Sequence, residues 1–451
     1  MKDYQYNYDV FPLVFPINRP TEITVKPLGF HARFAEDCAI AVLRLDAGSP
    51  KVAFTSWNKT DCPVTRSEDG SLHITYTAEA EGEYFIRVFE NGKRSIQFPV
   101  YALEPDLAER LPFRGDFHMH TCRSDGHEDP GTVCANYRKW GYDFATITDH
   151  SRYYPSLEAI RVYRDARIPL TILPGEEVHL SQTNVHIVNA GGVFSVNGLL
   201  DFIENYRETN GSDEGRRLDE TVDLPPVRHD YEYDRELEEI EKTLDDCPAD
   251  VDKRSFAVCL WAFDKIRQAG GLSVFAHPYW IQDVFHIPEP FVRYMMKKHP
   301  FDAFEVLGGE SYFHQNGLQT ALYYDEYREG RVHPIVGSTD THGSTDENRN
   351  AAICSTIVFA KANERTAIID AVRNRYSVAV DTISSEYRLV GELRYQHYGA
   401  FLMENWYPIH DRLAAWDGEL MRQYYVGDCT AEELSAASHK IDKLFEKYFV
   451  R

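Results

Sequence analysis

The sequence predicts an α/β domain that carries the chemistry, preceded by a small β-sandwich-like domain. Two observations lead there. Up to about residue 108, β-branched and aromatic stretches are separated by turn signals, which is the texture of an all-β module. From Arg114 onward, short apolar segments end repeatedly in His, Asp or Glu and alternate with helical candidates, the pattern of strands feeding helices. Functional side chains at the ends of several strands are collected most economically by a (β/α) barrel, with an open α/β sheet as the alternative.

The 451 residues exceed one ordinary core, so more than one domain is expected. Residues 1-108 read as the β-sandwich-like accessory domain. Its strand candidates are Glu22–Val25, Ile40–Leu45, Leu72–Tyr76 and Tyr84–Phe89, and EYFIRVFENGKRSIQFPV reads as a hairpin turning at Asn91-Gly92. Nothing in this module resembles a reaction centre. Residues 109-391 form the α/β domain, with strand segments in GDFHMH, YDFATITDH, IPLTILPGEE, VHIVNA, GLSVFAHP, FDAFEVLG and VHPIVGSTDTH. Helical candidates between them include Val133–Trp140, Tyr154–Asp165 and Asn316–Tyr327, and Cys354–Ala360 and Ala367–Arg373 read as a following strand and helix.

An insertion at about 200-258 breaks this rhythm. Residues 201–250 hold 18 acidic and 6 basic residues, about half of the chain's excess negative charge. YEYDRELEEIEKTLDD should form a solvated helix, while NGSDEG and LPP mark loops. The insertion reads as a surface elaboration, with a lid over the site as the alternative. Residues 392-451 read as a mainly helical C-terminal extension that packs on the main domain or contributes to a homo-oligomer interface.

Composition excludes several classes. An apolar fraction of 43% with 13% aromatics supports sizeable cores and rules out a disordered chain. A net charge of −23, from 71 acidic and 48 basic residues, opposes a sequence-independent grip on nucleic acid, so no nucleic-acid partner is expected. The start MKDYQYNYDV lacks the layout of a secretory signal, and no apolar run reaches membrane-spanning length. The 8 Cys are scattered without a CxxC pair, so a cytoplasmic protein without membrane attachment is the expectation.

The chemistry lies in the segment ends. His118 and His120, two apart in a candidate strand, share one face, and Asp125 follows in the turn Ser124-Asp125-Gly126. Thr148-Asp149-His150, Glu176-Glu177, His186, His277 and Asp340-x-His342 end or open further segments. Singly, a strand-end His bonds a carbonyl and an Asp caps a helix. In this number, buried imidazoles and carboxylates need one another or metal ions.

FHMHTCRSDG, FATITDH, PGEE with VHIVNA, AHP and STDTHG, in this order over roughly residues 114–345, resemble the PHP (polymerase and histidinol phosphatase) superfamily of metal-dependent hydrolases. The resemblance implies a distorted seven-stranded (β/α) barrel holding two or three divalent ions, commonly manganese, iron or zinc. By the family pattern His118, His120, Glu177 and Asp340 would hold one ion. Glu177, His186 and His277 would hold a second, and Asp125, His150 and His342 would complete a third site. Glu177 is chosen over Glu176 by its place after the glycine, and His179 is an alternative to His186.

A carboxylate such as Glu177 can bridge two cations, which then share a water and lower its pKa to give a hydroxide nucleophile. Asp340 or a site histidine such as His342 would manage the proton. Arg123 and Arg152 are candidates for an anionic group on a small-molecule substrate, with surface ion pairing as their plain alternative. The segment EVLGGESYFHQNG departs from the family's asparagine after its EV strand, and Glu310 and His314 are candidates there for the substrate pocket. Tyr279, Trp280, Tyr312 and Phe313 would form an aromatic wall for an organic leaving group or serve as packing. The resemblance implies phosphoester hydrolysis first. A branch with a leading β-domain implies amide, carbamate or carboxylic-ester hydrolysis by the same centre.

Overall fold

The computed structural model describes residues 3–46, 59–202, 212–308, 313–345, 353–382 and 387–451. Glu310 and Tyr312, and Asn210 and Gly211 of the NGSDEG loop, lie outside the described residues, as does the side chain of Phe313. The chain divides into two compact units. One comprises residues 1–111, 393–413 and 439–451, and the other residues 112–392 and 414–438.

In the first unit the strands are β1 (Tyr8–Phe11), β2 (Val14–Pro16), β3 (Thr21–Pro27), β4 (Cys38–Arg44), β5 (Lys59–Cys62), β6 (Thr65–Arg66), β7 (Leu72–Tyr76), β8 (Gly82–Glu90) and β9 (Lys93–Leu103). They form a four-stranded sheet, β1-β3-β7-β6, and a five-stranded sheet, β2-β9-β8-β4-β5. Strand alternation sends Ile23, Val25 and Ile74 from one sheet, and Val42, Ile86, Val88, Phe98 and Val100 from the other, into one buried cluster. Asn91 and Gly92, at φ of 50° and 72°, make the β8–β9 turn, where both central residues need positive φ.

The second unit holds β10 (Leu111–Asp116), β11 (Phe144–Thr146), β12 (Thr171–Leu173), β13 (Gly175–Val178), β14 (Ile187–Ala190), β15 (Leu272–Phe275), β16 (Ala303–Leu307), β17 (Ile335–Gly337), β18 (Cys354–Ala360), β19 (Ser377–Asp381) and β20 (Arg388–Val390). Nearly all of their residues are buried, as short apolar strands covered on both faces must be. Helices Pro130–Lys139, Tyr154–Val162, Lys253–Gln268, Glu289–Lys298, Phe313–Arg328 and Arg365–Arg373 separate several of them.

These strands correct the expectation of a seven-stranded (β/α) barrel. They form two sheets, β12-β11-β10-β18-β19-β20 and β13-β14-β15-β16-β17, and neither closes on itself or curls strongly. Closure needs continuous pairing round a ring of tilted strands. Here β10, β11 and β12 run parallel, but β18, β19 and β20 are antiparallel neighbours. In the other sheet β13–β14 and β14–β15 are antiparallel and β15–β16–β17 parallel. Between the segments that extend these sheets the described residues give isolated bridges, Met119 with Thr341 and His150 with Glu177.

The acidic insertion contributes the helix Asp230–Lys242, which is not solvated all round. Tyr233 and Leu237 are buried, and Tyr233 stands edge-on to Trp261 of Lys253–Gln268 at 5.0 Å. Among the described residues no helix is long and apolar enough to cross a membrane.

Within the second unit, helix Pro130–Lys139 is fixed by a buried charge group. The Arg138 guanidinium donates to the Tyr142 carbonyl and Asp143 Oδ1, both at 2.9 Å, and to Asp417 Oδ2 at 3.1 Å. Beside it Gly418 approaches so closely that a Cβ would run into the Lys139 nitrogen and the Ala135 carbonyl oxygen. Arg138→Met would take the guanidinium charge away from two buried carboxylates, at an expected cost of about 3–5 kcal/mol. Urea-induced unfolding measures it, and a loss below about 1 kcal/mol, the scale of an exposed ion pair, would contradict the buried arrangement.

Candidate metal centre

The motif residues converge because the strand directions bring different motif ends to one place. His118 and His120 follow β10, His150 follows β11, His277 follows β15, and Asp340 and His342 follow β17. His186 precedes its strand. β14 runs antiparallel to both neighbours, with Ile187 opposite Phe275 and Val178, so its start lies beside the ends of β15 and β13. This also places His179, just after β13, next to His186, with ring centroids 4.2 Å apart.

Backbone hydrogen bonds hold the strand extensions together. Asp340 N donates to His118 O, His120 N to Thr341 O and Thr148 N to Met119 O, each at 2.9 Å. Asp340 sits at φ 51°, a left-handed conformation that Asp tolerates better than most side chains. Gly126 lies against the His120 backbone, where a Cβ would stand 2.8 Å from its carbonyl, so only glycine lets the Asp125 turn approach.

At the centre stands Glu177, fully buried. Six imidazoles lie within 3.6 Å of its carboxylate: His150 at 2.7 Å, His186 at 2.8 Å, His179 at 3.2 Å, His118 at 3.5 Å, and His120 and His277 at 3.6 Å. Asp340 Oδ1 lies 2.8 Å from His120 Nε2 and 3.2 Å from His118 Nε2. Asp125 faces His150 at 3.3 Å and His342 at 3.4 Å. At this centre, among the described residues, four groups have ligand atoms close enough together to hold an ion: His120–Asp125–His150–His342, His118–Glu177–His277, His118–His120–Asp340 and His150–Glu177–His179. His186 touches Glu177 but completes none of these four, whereas His179 does.

Two kinds of buried acid separate clearly here. Asp116 accepts from the His118 and Thr339 backbones and the Thr339 hydroxyl, and Asp149 from the backbone and hydroxyl of both Thr121 and Ser124. Glu176 accepts from Asn189, Ser195, Val196 and Asn197. These carboxylates anchor loops. Glu177, equally buried, has neither oxygen in a hydrogen bond of acceptable geometry, and the same holds for His118 Nε2, His120 Nδ1 and His277 Nε2. Buried polar atoms left in this way are costly, and a divalent cation satisfies carboxylate and imidazole together. The donor set therefore fits a multi-metal centre of nitrogen and oxygen ligands.

Without an ion, the acids and imidazoles charge one another. Burial opposes charge on Glu177, yet His186, His179, His150 and His118 hold its carboxyl well below the usual range. Burial likewise opposes charging His118, but Asp340, Glu177 and Glu305 raise it well above the imidazole range. His150 rises to about 10 against its burial, through Glu177 and Asp125, and His277 and His342 rise too. Burial prevails at His120, lowered to about 4, and at His186, lowered to about 3. The His342 Nδ1 lies 3.0 Å from the Asp340 carbonyl and so carries the proton, leaving Nε2 toward Asp125.

Glu305 is the site residue that the sequence reading did not single out. Its Oε2 lies 3.4 Å from His118 Nδ1 and accepts from the His277 backbone at 3.2 Å, so it orients the His118 imidazole from behind and ties down the His277 backbone. The signal was an acid inside the wholly buried segment AFEVL. Of the substrate candidates, Arg123 is held by Glu158 through two hydrogen bonds, at 2.9 and 2.6 Å. Arg152 is partly exposed in the turn after His150. His314 lies outside the four groups, exposed, in a recess shared with Tyr279, Phe285 and Arg293.

No family model matches the chain, and no curated protein matches it. Among solved structures, a two-domain protein from Bacteroides vulgatus containing a predicted PHP-like metal-dependent phosphoesterase is 17% identical, at a TM-score of 0.39. The match covers 61% of this chain and 66% of that one, just under two thirds of its length. An amidohydrolase from Chromobacterium violaceum, with bound sulfate and no metal, is 17% identical over 52% of this chain and 89% of that one, at a TM-score of 0.31. The Lin-41 filamin domain is 16% identical over 22% of this chain and 92% of that one, at 0.16. All three likenesses are distant and partial.

Imidazoles protonated in the ion-free protein must lose their protons to become ligands. Metal binding should therefore release protons, and affinity should rise with pH between about 6 and 8. Titration of chelator-treated protein with manganese, by calorimetry in buffers of different ionisation enthalpy, measures both. Binding without proton release and independent of pH would contradict this electrostatic picture.

Proposed function

We propose that this protein is a PHP-type metal-dependent hydrolase acting on a small phosphorylated substrate. The observation that carries the reading is the Glu177 carboxylate, buried without a hydrogen bond and faced by six imidazoles. The order of motifs from His118 to His342 supports the superfamily assignment.

In this reading His118, His120 and Asp340 serve one ion, and Glu177 and His277, with His118 or His186, a second. Asp125, His150 and His342, joined by His120, serve a third, and Glu177 links the groups. Bound divalent ions would supply a water of lowered pKa as nucleophile and neutralise charge on the reacting group. The remaining work falls to the protein. Asp340, 13% exposed and beside His118 and His120, is placed to accept a proton at its carboxylate as the nucleophile attacks. His342 Nε2 and Asp125 stand at a more exposed edge of the cluster. Glu305 and the Asp340 carbonyl keep His118 and His342 oriented.

Phosphate is favoured because several cations in adjoining groups match a tetrahedral group with charged non-bridging oxygens. One observation favours the second reading, amide, carbamate or carboxylic-ester hydrolysis: Arg123 is already paired with Glu158 and so is not poised for an anionic substrate.

Manganese-loaded protein should release phosphate from small monoesters in a panel that also contains diesters, carbamates and amides. Glu177→Gln should lower bound metal and kcat/KM together, the latter at least about 100-fold. Turnover confined to carbamates or amides would move the assignment to the second reading. Full activity with full metal content in Glu177→Gln would overturn the role of Glu177.

A further inference from the structure

Immediately after His277 the chain makes a small hairpin that the centre described above does not use. The His286 backbone donates to the Trp280 carbonyl at 3.0 Å, Ile281 bridges Phe285, and Gln282 N donates to Val284 O at 3.3 Å across the tip. Pairing of this kind puts Trp280 and His286 on one face, and Ile281 and Phe285 on the other together with Tyr279.

The two faces meet different surroundings. Tyr279 is buried and packs edge-on against Phe285 at 5.7 Å. Trp280 is partly exposed and turned toward the candidate ligands. Its ring centroid lies 5.9 Å from that of His186 and 6.2 Å from that of His277, with the His286 ring edge-on at 4.6 Å. His286 in turn stands 5.5 Å from His186 and is hydrogen-bonded to the Asn184 backbone. An indole is therefore fixed by His286 about one ring's width from the imidazoles around Glu177. The hairpin, Trp280-Ile281-Gln282-Asp283-Val284-Phe285-His286, contains no lysine or arginine and carries one acid. Within it Ile281, Val284 and Phe285 are exposed.

We propose that Trp280, positioned by His286, forms the leaving-group subsite and selects substrates whose leaving group is an uncharged aromatic ring. The proposal rests on reading the site as a metal-dependent hydrolase of small esters. A flat apolar face suits a ring by stacking, and a hairpin with an acid and no lysine or arginine disfavours a nucleotide or polyphosphate leaving group. Tyr279 plays no part in it, because its ring is turned into the protein.

Equilibrium binding separates this subsite from turnover. Phenylphosphonate and methylphosphonate share the group that would meet the metal ions and differ only in the ring. Manganese-loaded protein should bind phenylphosphonate about three- to tenfold more tightly, the range expected for one aromatic contact. Trp280→Leu should abolish that preference while leaving methylphosphonate affinity unchanged, and Trp280→Phe should keep most of it. His286→Ala should weaken the preference without altering metal content. Equal affinity for the two ligands, or equal loss of both in Trp280→Leu, would overturn the subsite. Phenyl phosphate left uncleaved while the binding preference holds would instead count against the hydrolase reading.

Discussion

Everything in the second unit is arranged around one electrostatic constraint: a carboxylate, Glu177, buried among imidazoles with no hydrogen bond to satisfy it. A buried charge is tolerated only when something pairs with it. The protein meets this rule in two ways within a few residues. Asp116, Asp149 and Glu176 are saturated by backbone and hydroxyl donors and serve as ties for loops. Glu177, together with His118 Nε2 and His277 Nε2, is left open. The contrast between adjacent residues, Glu176 closed and Glu177 open, locates the chemistry more sharply than the number of acids does.

The two-sheet arrangement follows the same demand. A strand running against its neighbours delivers the residue at its start, not at its end, to the shared face, and β14 does this with His186. Segments beyond β10, β11 and β17 are drawn together by a few backbone hydrogen bonds instead of full ladders. Short extended segments free of complete pairing can each present a side chain inward, which a regular ladder with strict alternation would prevent at His118 and Asp340 together.

Much of the candidate site was legible because its signals are local. His118 and His120 share a strand face by spacing alone, and the turns around Asp125 and His150 carry recognisable residues. The two open sheets that replace the expected barrel were not legible, because the direction of β14, β19 and β20 depends on pairings across many residues that no local pattern records. Glu305 was hidden by its apolar surroundings, which made it look like part of a strand. The partner of Arg123 was hidden by distance, since Glu158 lies 35 residues on, in helix Tyr154–Val162. The acidic insertion read as a solvated helix because its charge outweighs two apolar positions, Tyr233 and Leu237, that nonetheless pack.

The most direct test of a metal centre built on Glu177 is anomalous X-ray diffraction from crystals grown with manganese, recorded on both sides of the metal's absorption edge. The account predicts anomalous peaks within coordination distance of the Glu177 carboxylate, about 2.0–2.3 Å, flanked by the imidazoles that face it. Peaks confined to other surfaces, with Glu177 contacting only protein, would contradict it.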